Sequence, residues 1–242
     1  MLRDNLRAVY YIALKDMKTY YLKPPAISWG IVFPITWILA FYLRMPGDFH
    51  ELIPGLIAMT ILFSTTAAEA VVINFELRLG SLERLLLAPI TSSAVLMGKV
   101  VGGTIFGIMM TAIVTIGSVL ILGLHPHIFY IAVIIVISSF MFSALGALLC
   151  VLVKEVFEAQ TLLNLPRFIM IFLCGVVYPI SKMPVWLQYI SYSLPLTYVV
   201  DGLRSCFVIE PKLSVFKDVL ILTSFVALFL ILAIRLFYKK FE

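Results

Sequence analysis

Six stretches of this chain, residues 26–43, 52–75, 100–122, 128–153, 161–180 and 219–237, each run for roughly twenty residues with at most one charged side chain inside. A helix rises about 1.5 Å per residue, so each stretch can cross a hydrocarbon layer of about 30 Å. Within lipid a backbone must satisfy its own hydrogen bonds, which leaves helices and closed barrels. None of the six has the strict apolar–polar alternation of a barrel strand. Composition agrees: 62% of the 242 residues are apolar and 13% charged, against about 45–50% and about 25% in soluble domains. The expectation is an all-α integral membrane protein forming one domain over residues 1–242, with its six-span region at 26–237.

The net charge of +5 does not mark a nucleic-acid surface, because the basic residues flank apolar runs rather than alternating with aromatics. They orient the chain instead. With both termini in the cytoplasm, twelve basic residues fall inside: Arg3, Arg7, Lys15, Lys18, Lys23, Arg78, Arg84, Lys99, Lys154, Arg235, Lys239 and Lys240. Five fall outside: Arg44, Lys182, Arg204, Lys212 and Lys217. The excess inside predicts a multi-pass protein of the cell membrane with cytoplasmic termini.

Residues 1–23 carry seven charges and no continuous apolar core, so a cleavable signal is not expected. Leu2, Leu6, Val9, Tyr10, Ala13, Met17, Tyr20 and Tyr21 fall near one face at helical spacing, with Asp16 breaking the pattern. An amphipathic interfacial helix is predicted there, ended by Lys23-Pro24-Pro25. Residues 185–194 and 196–208 are too short and too polar to span, and Trp186, Tyr189, Tyr192 and Tyr198 make them aromatic and amphipathic. Short outer-leaflet helices between spans five and six are expected.

Several chemistries are missing. Gly98-Lys99 is followed by Val100 and preceded at the fifth position by Ser93, so no phosphate-binding loop is present, and ATP hydrolysis is not expected of this chain. His125-Pro126-His127 offers two ligands with no third nearby, and Cys150, Cys174 and Cys206 have no CxxC spacing. No metal, cofactor or disulfide framework is expected. Gly98/Gly102 and Gly103/Gly107 have the spacing that lets helix backbones approach, within the subunit or across a dimer.

Glu69 and Arg167 are the costly residues, since a mid-span charge costs about 2.5–3.5 kcal/mol on insertion scales. Each lies about six residues, roughly 9 Å, from the cytoplasmic end of its run. They can pair or share a polar substrate path with Asn164; alternatively Arg167 snorkels to the headgroups. Pro166 beside them can kink its helix.

Residues 76–90 are the most informative loop. Gly80 marks a turn, and Ser81 is placed to cap a short helix with Glu83 in its first turn and Pro89 at its end. Leu82, Leu85 and Leu86 share an apolar face. Such a helix is either a membrane-surface element or a docking knob for a partner.

The segment Glu76-Leu77-Arg78-Leu79-Gly80-Ser81-Leu82-Glu83-Arg84-Leu85-Leu86-Leu87-Ala88-Pro89 resembles the first cytoplasmic loop of the ABC-2 family of exporter permeases. A second likeness covers Gly175 to Pro179, Met183-Pro184 and Pro195 through Asp201 to Arg204, similar to that family's outer-leaflet region. The resemblance spans essentially the whole chain and leans toward the drug-resistance branch. It implies a permease subunit in membrane lipid, paired with a second permease as a homodimer or a heterodimer, the homodimer preferred, and carrying two cytosolic ATPase subunits. It also implies export of an amphiphile: a drug, a lipid or a lipid-linked glycan. The coupling contact would involve Glu76, Arg78, Gly80, Ser81, Leu82, Glu83, Arg84, Leu85, Leu86 and Pro89, with Lys15 and Lys18 facing the ATPase or anionic lipid. An ion-coupled secondary transporter would need more intramembrane carboxylates than Glu69. A membrane-embedded enzyme would need a catalytic constellation within the spans, and all three histidines lie in loops.

Overall fold

The computed structural model describes residues 2–44, 49–153, 155–207 and 214–241. Lys154 and Lys212, two of the charges used for orientation, lie outside the described residues. The described residues form helices α1 (Leu2–Asp16), α2 (Pro24–Arg44), α3 (Phe49–Arg78), α4 (Ser81–Leu86), α5 (Ser92–Leu122), α6 (Ile128–Leu152), α7 (Val156–Leu173), α8 (Val185–Ser193), α9 (Pro195–Cys206) and α10 (Ser214–Phe241). Among the described residues, four helical segments are long and apolar enough to cross a membrane: Leu52–Arg78, Ser92–Leu122, Ile128–Leu152 and Val215–Phe241. α2 and α7 are 21 and 18 residues long.

α3 is the axis of the bundle and packs against α2, α5, α6, α7 and α9. It is buried along nearly its whole length, yet it carries Thr60, Ser64, Thr65 and Thr66. Their hydroxyls donate to carbonyls one turn back, Thr60 to Leu56 at 3.0 Å, Ser64 to Thr60 at 2.6 Å and Thr65 to Ile61 at 2.7 Å, with Thr66 likewise bonded to Leu62. Those bonds remove the cost of burying a hydroxyl without a partner.

Glycines set the closest approaches, all inside the subunit. A Cβ at Gly98 would lie 2.8 Å from Ile12, and one at Gly102 would lie 3.3 Å from the Tyr21 ring. The first GxxxG pair therefore seats α1 and the turn after it on α5. A Cβ at Gly103 would lie 2.7 Å from Ser143 Oγ and collide with the Glu69 carboxylate, and one at Gly107 would collide with Thr65. The second pair seats α3 and α6 on the other side of α5.

The N-terminal helix differs from its expected form. It passes into a π turn at Met17–Tyr21, closed by Leu22 N donating to the Met17 carbonyl at 3.0 Å. This extra residue per turn swings Tyr21 inward, where it is buried and stacks on Phe106 with ring centroids 5.3 Å apart. Leu6 and Tyr10, assigned to the apolar stripe, are exposed, while Ile12, Ala13 and Asp16 face α5. Asp16 does not break the buried face; it belongs to it.

Two boundaries also move. The third apolar run was expected from residue 100, but α5 begins at Ser92 because Thr91 Oγ1 caps it, accepting from Ala94 N at 3.3 Å. The fifth run was expected to reach residue 180, but α7 stops at Leu173. Gly175 adopts φ 77°, a left-handed conformation open to glycine, and turns the chain. Pro166 stays within the continuous helix.

Candidate functional site

Three polar assemblies stand out, two at opposite ends of the bundle and one between them. At the α4 end, Lys99 Nζ lies 2.5 Å from Glu76 Oε2 and 3.5 Å from Asp16 Oδ2. Lys15 Nζ lies 3.1 Å from Asp16 Oδ1 and also bonds Glu76 Oε1. Asp16, Glu76 and Lys99 are essentially without solvent exposure. Two cations and two anions balance, which buried charges require. The group ties the end of α1 to the last turns of α3 and the first turns of α5. Burial opposes charge on Lys15, but its bond to Glu76 and the attraction of Asp16 and Glu76 hold its ammonium above the ordinary lysine range. Burial pushes Asp16 above the ordinary aspartate range, against the pull of Lys99. Two expectations change here. Lys15 turns inward to carboxylates of its own chain, and Glu76 belongs to α3 and faces the buried network. Lys18 is exposed.

Directly after Glu76, α3 ends at Arg78, and Gly80 with φ 68° turns the chain into α4. Ser81 is not the cap: its hydroxyl donates back to the Glu76 carbonyl at 3.3 Å, and Gly80 occupies the cap position. Leu82 is 0% exposed and anchors α4 in the core, with Leu85 and Leu86 half-buried against it. Burying one such side chain out of water is worth about 1.5–3 kcal/mol. The side chains α4 and its flanks present outward are Leu79, at 65% exposure, Leu87, at 86%, Glu83 and Arg84. Pro89 is exposed in the following turn. A cleft of about 810 Å³ opens beside α4, lined by Leu77, Arg78, Glu83, Glu155, Phe157, Lys240 and Phe241.

Lys240, counted above only as a topology signal, donates to the carbonyls of Val151 at 2.7 Å and Val153 at 2.6 Å. It thereby satisfies the open C-terminal end of α6. A lysine near the chain's end gives no hint of this; only the return of α10 beside α6 brings it there.

In the middle of the bundle, Glu69 and Arg167 are both buried on facing helices but do not pair. Glu69 Oε1 accepts from Ser143 at 2.7 Å, and its Oε2 has no partner among the described residues. Arg167 Nε donates to Thr66 at 2.7 Å and Nη1 to Asn164 at 2.9 Å; the guanidinium lies 5.2 Å from the Phe63 ring centre, and Nη2 has no partner among the described residues. Arg167 therefore does not snorkel: at 1% exposure it is enclosed by α3. Thr66 and Glu69 are three residues apart on one face of α3, so the two charges sit one helical turn apart without contact. Ser138 and Ser139 on α6 and Thr111 and Thr115 on α5 add buried hydroxyls with no partner among the described residues.

At the end opposite α4, Arg204 Nη2 donates to the Gly175 carbonyl at 2.6 Å and fixes the turn after α7 to α9. His127 N donates to the Cys206 carbonyl at 3.0 Å, joining α9 to the start of α6. Pro184 precedes α8, and Pro195 opens α9, where its missing N–H costs nothing. Pro179, Asp201 and Arg204 line one cavity. The structure thus brings together Gly175, Pro179, Asp201 and Arg204, which the sequence holds up to 29 residues apart. α9 buries Leu196, Val199 and Leu203 completely and is a core element, whereas α8 exposes Val185, Trp186, Tyr189 and Ile190.

A helical bundle with long apolar segments, a buried polar interior and a short amphipathic helix between two of those segments marks a multi-pass membrane protein. The chain belongs to the ABC-2 type transporter family, whose model matches residues 7–208. It is 28% identical over 196 residues to an inner membrane transport permease, YadH, of Escherichia coli, covering 76% of this chain and 73% of that one. It is 31% identical over 164 residues to a probable multidrug ABC transporter permease, YbhS, of the same organism, covering 65% of this chain and 43% of the relative. A putative transport permease, ycf38, of Cyanophora paradoxa is 26% identical over 204 residues, covering 75% of this chain and 68% of the relative. The chain is a membrane permease of an ABC transporter.

Proposed function

We infer that this permease exports an amphiphile across the cytoplasmic membrane, driven by a separate cytosolic ATPase that docks at α4. The observation that carries this is the division of labour in residues 76–90. Leu82 is buried and fixes α4 to α3 and α5, while Leu79, Leu87, Glu83 and Arg84 project outward. A partner can shift a two-state equilibrium only through contacts that differ between the states. α4 meets that need because it joins α3 to α5 with short connections. The outward set replaces Leu82, Leu85 and Leu86 as the side chains that enter the ATPase; Ser81 and Gly80 set the turn, and Glu76 and Arg78 connect it to α3.

The rest of the proposal follows the same geometry. α2 and α7 act as the second pair of outer spans beside the four long helices, making six with both termini cytoplasmic. An apolar groove of about 560 Å³ between α2, α3 and α5, with Ser118 the one hydroxyl among its described lining residues, suits an amphiphile's hydrocarbon part. The probable multidrug role of YbhS supports a drug-like substrate. Exposed Leu165, Phe168, Ile169 and Phe172 stripe one face of α7 and would receive a second permease copy. The unused capacity of Glu69 Oε2 and Arg167 Nη2 belongs to groups that gain partners when α3 and α7 part.

The test is co-purification from membranes of the tagged permease with its ATPase. Leu87→Asp and Glu83→Lys should abolish ATPase recovery while the permease keeps its elution profile. Undiminished recovery with both variants, or no ATPase with the wild type, would overturn the docking assignment.

A further inference from the structure

We propose that the cavity beside α9 binds the headgroup of a zwitterionic phospholipid or an amphiphile carrying the same adjoining phosphate and ammonium. The cavity holds about 240 Å³ and is lined by Arg204, Asp201, Tyr192, Tyr198, Ser181 and Pro179, among others. That volume falls below the roughly 300–1,000 Å³ of pockets that enclose a whole drug-sized molecule, and suits a headgroup whose chains remain outside.

The charges are arranged for such a ligand. Asp201 and Arg204 stand one turn apart on α9 and line the same space, yet no ion pair joins them among the described residues. Arg204 spends one N–H on the Gly175 carbonyl, at 2.6 Å, which holds the guanidinium in place. Its remaining donors are suited to a phosphate, which a planar guanidinium fork binds in two-point fashion. Asp201 is exposed and offers its carboxylate to an ammonium. The Tyr198 hydroxyl donates to the Tyr192 backbone carbonyl at 2.7 Å, which holds the Tyr198 ring at the cavity that both tyrosines line, and tyrosine rings attract a cation. A simple anion would use Arg204 and meet repulsion from Asp201; only a ligand with both signs satisfies the pair.

The depth is right for a lipid. α8 follows the Pro179–Ser181 rim and exposes Val185, Trp186, Tyr189 and Ile190 together. Tryptophan and tyrosine concentrate at the level of the headgroups. The cavity therefore opens where a phospholipid presents its phosphate.

Native mass spectrometry of the purified permease, exchanged into detergent with equal phosphatidylethanolamine and phosphatidylglycerol, tests this. The wild type should retain phosphatidylethanolamine preferentially. Asp201→Asn, which leaves the Arg204–Gly175 bond intact, should shift the preference toward phosphatidylglycerol by about tenfold or more. Arg204→Gln should lose both lipids, and Arg204→Lys should restore retention in part. Soluble glycerophosphoethanolamine, which carries the headgroup chemistry without the chains, should compete the bound lipid off the wild type, and persistence of the lipid against an excess of it would overturn a site that reads the headgroup. No headgroup preference in the wild type, or a preference unchanged in Asp201→Asn, would overturn the proposal.

Discussion

Lys99 Nζ lies 2.5 Å from Glu76 Oε2, and neither side chain touches solvent. The pair joins the start of α5 to the end of α3 across the base of α4, and Asp16 and Lys15 complete its charge balance from α1. The connection between α3 and α5 therefore rests on a buried electrostatic floor, and α1 is held by the same floor.

Removing one member of this network should cost more than removing two. Lys99→Met leaves Asp16 and Glu76 with only Lys15, and breaking a buried pair one-sidedly costs about 3–5 kcal/mol. Lys99→Met combined with Asp16→Asn restores balance through Lys15 and Glu76, and should recover a large part of the loss. Thermal unfolding in detergent of the wild type, both single variants and the double variant gives the coupling. Simple additivity would show that the four charges do not act as a unit.

The network should also weaken in alkali. Lys15 is held above the ordinary lysine range by Glu76 and Asp16, against its own burial. A raised value means its stabilisation is fully present below that range and is lost as pH climbs through the higher folded value. Asp16 is raised as well, by burial, so its own contribution favours low pH and fades as pH rises through its folded value. Lys15→Gln should flatten the alkaline limb of a melting-temperature profile relative to the wild type. Parallel alkaline limbs would remove Lys15 from the account.

Glycine positions should separate sharply. Gly98→Ala places a methyl group 2.8 Å from Ile12 and should lever α1 off α5, at the roughly 1–3 kcal/mol typical of overpacking. Gly117→Ala meets no described atom within 4 Å; it should be neutral or stabilising by up to about 1 kcal/mol, since alanine is the better helix former. Comparing expression yield and melting temperature of the two checks this. Equal losses would mean that α1 does not seat on Gly98.

Orientation is tested at two exposed positions on opposite ends of the bundle, Glu83 and Lys182. In a background lacking Cys150, Cys174 and Cys206, Lys182→Cys should react with an impermeant maleimide in intact cells. Glu83→Cys should react only after permeabilisation. The reverse pattern would invert the topology and move the α4 docking face outside.

Much of this molecule is written in short-range features. The turn at Gly80, the short helix after it and the paired helices over residues 185–206 depend on neighbouring residues, and glycine, proline and apolar spacing report them directly. Leu82 shows where that ends. Spacing put Leu82, Leu85 and Leu86 on one face, but it did not say whether that face turns toward a partner or toward the subunit's own core. Asp16 and Lys99 show the same limit from the other side. One looked like an interruption of an apolar stripe and the other like a flanking charge, because their partnership spans 83 residues of chain and appears only when α1 lies along α5.

Taken alone, the amino-acid sequence determined that this chain lives in a membrane as helices and to which family it belongs. Apolar length, charge placement and local motifs are properties of contiguous residues, and lipid leaves the backbone little choice. Tertiary structure alone decided which polar groups meet. It gave Glu69 to Ser143 and Arg167 to Thr66 rather than to each other, folded Glu76, Lys99, Asp16 and Lys15 into one neutral cluster, and brought Lys240 to the end of α6. Those choices depend on the rotation and offset of helices distant in sequence. Side-chain hydrogen bonds reach about 3 Å, so a fraction of a helical turn decides which partners exist.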